Sequence, residues 1–216
     1  MDLHLQDRAV WLLLEQTPAA WKLAESCLEE GACVAFLSED CGGDGSARRA
    51  ALAARFGLRL RMAARNEDPS MRGRAPAELL HWGGRPAAII ARCSNPVRDD
   101  DPGPGRVQFQ RSCVGALQSN GALVLVEPDC RRPNENGCVE DATLLALREM
   151  RLLWAALAPE GVRVSIVSAP ADFFGPGGFG APEGCEGAVS DLILFLASRG
   201  FGSVATVGAD GSVALF

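Results

Sequence analysis

The side chains able to do chemistry in this chain are few and poorly grouped. Its eight cysteines, Cys27, Cys33, Cys41, Cys93, Cys113, Cys130, Cys138 and Cys185, form no C-x-x-C pair, and the only histidines, His4 and His81, are far apart. Protein metal sites draw thiolates and imidazoles from short, regular spacings, so no metal site is expected, and several cysteines read as small hydrophobes on strand or helix faces. Asp99, Asp100 and Asp101 offer three carboxylates to a hard cation, but consecutive acids followed by Pro102 and Gly103 describe a solvated loop better. Groups able to exchange protons gather at Glu127, Asp129 and Cys130, with Asp172 further on; an enzyme built on this chain would have to use these. The stretch CGGDGSARR, residues 41–49, is glycine-rich like a phosphate cradle, yet it has no G-K-[ST] ending and sits among acids. It reads as a loop, with Ser46 capping a helix that ends at Gly57.

The elements that must position these groups start with residues 8–40, RAVWLLLEQTPAAWKLAESCLEEGACVAFLSED. Residues 9–14 are a continuous apolar run suited to a strand buried on both faces, and Leu23, Ala24, Cys27 and Leu28 give the following helix an apolar stripe. Gly31 ends that helix, and residues 33–37 form the second strand. This is the layout of a mononucleotide-binding βαβ unit, in which a glycine-rich turn brings backbone N–H groups up to a pyrophosphate. Here the turn is Leu14, Glu15, Gln16, Thr17, Pro18, Ala19, Ala20 and Trp21, without a glycine. Thr17 is a good N-cap and Pro18 a good first helical residue, so the helix start is satisfied by its own chain. Glu15 would repel a phosphate, and Trp21 is large enough to fill the space a cofactor needs.

Further on, strands are expected at 58–63, 87–91, 122–126, 162–167 and 204–207, the last followed by a short apolar tail to Phe216. Helices are expected at 75–82, 107–119, 139–157 and 188–198, with loops at 92–106 and 128–137 and a Gly/Pro-rich connection at 168–187. Strands alternating with helices predict a doubly wound, Rossmann-like parallel α/β sheet of about seven strands. A ligand would then lie beyond the carboxyl ends of the strands, near Leu14, Ser38, Ala91, Val126 and Ser168.

With 216 residues, 48% of them hydrophobic, the chain can build one full core, and no stretch has the composition of a domain linker. A formal charge of −6, with basic residues that look scattered, argues against nucleic acid and anionic membranes. MDLHLQDR lacks the basic region of a secretory signal, and no apolar run nears the roughly 20 residues that cross a bilayer, so a soluble cytoplasmic protein is expected.

Three segments carry a resemblance to the short-chain dehydrogenase/reductase family across most of the chain: RAVWLLL with AESCLEEGACVAF, LAPEGVRVSIVSAP at 157–170, and DLILFLASRGFGSVATVGADG at 191–211. The resemblance implies an NAD-dependent oxidoreductase whose catalytic residues are a serine and a Y-x-x-x-K pair. Laid on this sequence, the glycines of the family's T-G-x-x-x-G-x-G turn fall on Leu14, Pro18 and Ala20, and its N-A-G motif falls on residues 91–94, ARCS. The serine falls near Pro128, and the tyrosine and lysine on Val139 and Thr143, in a chain with no tyrosine at all. Val139 has no proton to exchange. About 17 residues separate Pro170 from Ala188, where the family usually has a longer helical lid over its substrate. The helix at 139–157, with Leu144, Leu145, Leu147, Leu152 and Trp154 spread round it, corresponds to one that packs between subunits in the family. The resemblance therefore implies a pseudoenzyme that binds no cofactor and supports an intact, NAD-binding homologue in a hetero-oligomer such as a heterotetramer. A stand-alone ligand sensor, or an enzyme with relocated acids, are the other functions these residues allow.

Overall fold

The computed structural model describes residues 5–14, 16–38, 45–64, 74–92, 113–129, 155, 157–170, 185–198, 204–207 and 213–215. They form β1 (Ala9–Leu13), α1 (Pro18–Glu29), β2 (Cys33–Ser38), α2 (Gly45–Phe56), β3 (Leu60–Ala64), α3 (Arg74–Gly83) and β4 (Ala88–Arg92). After these come β5 (Ala122–Asp129), β6 (Arg163–Pro170), α4 (Cys185–Ser198), β7 (Val204–Val207) and β8 (Val213–Leu215). The sheet order is β3-β2-β1-β4-β5-β6-β7-β8. All neighbours from β3 to β7 pair in parallel, and β8 turns back antiparallel on β7, with Val207 opposite Val213. The doubly wound parallel sheet is thus the architecture.

Every residue of β1 is buried, as expected of a strand flanked by β2 and β4 and covered on both faces. Val10 and Leu12 belong to one core with α1, α2 and α4 residues such as Leu23, Leu52 and Ile193. Trp11 and Leu13 belong to the other, with Leu79 of α3, Leu117 and Val164. The period of two therefore decides which core each residue joins.

Some boundaries differ from those expected. β5 and β6 run on to Asp129 and Pro170, three residues past the apolar runs, because the two strands keep pairing with each other beyond the last β4 contact, Arg92 with Val126. Hydrophobic patterning misses such an extension, since all its residues but Ala169 are polar or proline. Of the expected loop at 128–137, residues 128 and 129 are strand and 130–137 lie outside the described residues; Pro128 stands opposite Ala169, at a level where β4 no longer pairs with β5 and a missing N–H is tolerated. α2 starts at Gly45, so Ser46 lies in its first turn rather than capping it. A 3-10 turn at Gly57–Arg59 then holds β3 back to Leu60. Of the expected helix at 107–119, residues 113–115 are helical and 107–112 lie outside the described residues. Most of the helix at 139–157 also lies outside them, and the tail after β7 contains β8.

Gly31 closes α1 as its position predicts. Its φ is +88°, its N–H donates to Leu28 O (3.1 Å), and the Ala32 N–H reaches back to Cys27 O (3.0 Å). These two bonds satisfy the last carbonyls of the helix in a Schellman motif and turn the chain directly into β2. A Cβ at Gly31 would stand 3.2 Å from Gln6 Cα. Gly31→Ala is expected to cost about 1–2 kcal/mol from the left-handed backbone alone, read as a lower urea midpoint with an unchanged m-value.

Candidate functional site

In this sheet order β1 is joined to β2 on one side and β4 on the other, and the chain leaves their carboxyl ends in opposite directions. The crevice that results is the place where doubly wound folds bind ligands. The β1–α1 turn forms its floor.

Leu14 is buried at the end of β1. Thr17, only 5% exposed, has extended backbone (φ −87°, ψ 160°), and its Oγ1 accepts the Ala20 N–H at 3.2 Å. Its carbonyl accepts the Trp21 N–H at 3.0 Å, the first bond of the helix. Pro18 is the first helical residue and has no N–H. Of the donors a helix N-terminus normally presents to an anion, one is missing at Pro18 and one is taken at Ala20, leaving Ala19. Ala19 and Ala20 are themselves 2% exposed. Trp21 is fully buried with its ring centroid 4.8 Å from that of Phe36 in β2. Thr17 caps the helix and Pro18 starts it, as the sequence predicts. Glu15 lies outside the described residues.

The remaining expected positions divide. Ala91 is buried near the end of β4 beside Leu13, whereas Cys93 and Ser94 lie outside the described residues. The backbones of Glu127, Pro128 and Asp129 lie in β5 opposite Ser168, Ala169 and Pro170, so the structure brings two acidic positions to the carboxyl edge of the sheet. Val139, Thr143, Cys130, Asp172 and Asp99 to Asp101 lie outside the described residues. Cys27, Cys33 and Cys113 are not in disulfides, and the first and last of them are buried. Burial pushes the Cys27 thiol up to about 12, and burial followed by the nearby Asp7 carboxylate raises Cys33. Raised thiols are poor nucleophiles and poor metal ligands. Among the described residues no group of three His, Cys, Asp or Glu side chains could hold a metal ion. No helix among them is long and apolar enough to cross a membrane.

Among the described residues, three polar groups at buried positions escaped sequence reasoning: the indole N–H of Trp11, that of Trp21 and the Ser190 hydroxyl have no hydrogen-bond partner there. Nothing in hydropathy marks them, because a tryptophan scores by its ring and not by its single donor. A groove of about 510 Å³ lined by Arg61, Ala77, Glu78, His81 and Trp82 lies between β3 and α3, away from the β1–α1 turn.

Thr17→Ala is expected to lower stability by about 1 kcal/mol through loss of the cap, measured by denaturant unfolding. Trp21→Ala should cost about 3–5 kcal/mol, because it empties a site packed on Phe36. For Cys27 the folded-state pKa lies above the unfolded one, so its contribution is complete below about 9 and is lost as pH rises toward about 12. Cys27→Val should therefore flatten the fall of Tm in that window. Peptide mapping after iodoacetamide at pH 8, a condition of the assay, should find Cys27 unmodified in the native protein.

No protein-family model matches the chain, and no curated protein does. Solved structures do match. A short-chain oxidoreductase from Pseudomonas aeruginosa, described as containing an atypical catalytic center, superposes with a TM-score of 0.70 at 19% identity over 96% of this chain and 98% of its own. L-sorbose reductase from Gluconobacter frateurii, solved with NADPH and L-sorbose, gives 0.68 at 15% identity over 97% and 98%. A short-chain dehydrogenase/reductase variant from Serratia marcescens gives 0.68 at 13% identity over 96% and 99%. This chain has the short-chain dehydrogenase/reductase fold.

Proposed function

We propose that this chain is a non-catalytic subunit of a hetero-oligomeric dehydrogenase, supporting an intact short-chain dehydrogenase/reductase homologue that binds NAD and carries the catalytic residues. The observation that carries this reading is the self-capped turn: Thr17 holds the Ala20 N–H, Pro18 offers none, and Trp21 occupies the floor against Phe36. A pyrophosphate is bound by unengaged amides at such a turn, and here Pro18 has none, the Ala20 N–H is engaged, and that of Ala19 belongs to a residue only 2% exposed. The absence of tyrosine from the whole sequence removes the family's general base and supports the same reading. The complex is a cytoplasmic heterotetramer in this proposal. Its narrower form takes the partner's reaction to be the NAD-dependent oxidation of 2-[hydroxy(phenyl)methyl]succinyl-CoA, in the β-oxidation-like route of anaerobic toluene breakdown. That form is supported by the pattern of positions lost, Leu14, Pro18, Ala20, Pro128, Val139 and Thr143, and the segment 205–216 is assigned to contact with the partner.

One observation favours a second reading. The extension of β5 and β6 carries Glu127 and Asp129 into the sheet at its carboxyl edge, where an acid or base could act on a ligand without a tyrosine. Under that reading the chain is an enzyme with relocated acid/base residues.

Calorimetric titration of the purified chain with NAD and NADH, followed by coexpression with a homologue that retains the glycine turn and Y-x-x-x-K, separates these. The subunit reading expects no nucleotide binding at millimolar concentration, a stable complex with the homologue, and partner turnover that falls when residues 211–216 are deleted. Turnover by the chain alone that is lost in Glu127→Gln or Asp129→Asn would favour the enzyme, and a stable homomer responding to another ligand would favour a sensor.

A further inference from the structure

We draw no further inference here: the strongest candidate, the groove between β3 and α3 lined by Arg61, Ala77, Glu78, His81 and Trp82, is walled by exposed side chains except for Trp82, and nothing in the structure shows what covers it.

Discussion

A parallel strand has no solvent-facing side, and β1 meets that requirement at all five of its positions. It hydrogen-bonds to β2 and β4 at once and sends alternate side chains into two separate cores. The helices packed in those cores must therefore lie on opposite faces, and the chain must leave the carboxyl end of β1 through a turn tight enough to start α1 directly. Whatever that turn is made of becomes the floor of the crevice between β1 and β4.

Two arrangements can satisfy the start of a helix whose amides point into such a crevice. An anion can take them, or the chain can cap them itself. Here the threonine hydroxyl takes one amide and the proline ring removes another, while the Trp21 indole is buried against Phe36. Two tryptophan N–H groups that find no partner among the described residues accompany this arrangement, one in each core. A buried donor without an acceptor costs on the order of 1–3 kcal/mol, so the dense apolar packing around Trp11 and Trp21 has to exceed that.

Much of the fold was legible because its central strands are apolar runs with punctuation. Gly31 marked the end of α1, and Thr17-Pro18 marked its start; both are local rules that tertiary structure had no reason to override. The unread parts are those set by partners across the sheet. Pro128 and Asp129 look like loop and are strand because β6 continues beside them. Residues 213–215 look like a tail and are strand because β7 offers an edge. The candidate site was legible where side chains cap backbone, at Thr17 and Pro18.

The packing of Trp21 also bears on attempts to give this fold a nucleotide site. Glycines at positions 14, 18 and 20 would have to replace a buried leucine, a helix-starting proline and a buried alanine, while the Trp21 indole stayed packed on Phe36. Cutting that indole back first would remove a substantial fraction of the roughly 5–15 kcal/mol that keeps a domain of this kind folded. Under the proposed function, installing a glycine turn here takes several replacements made together, because Leu14, Pro18, Ala20 and Trp21 are packed as one unit.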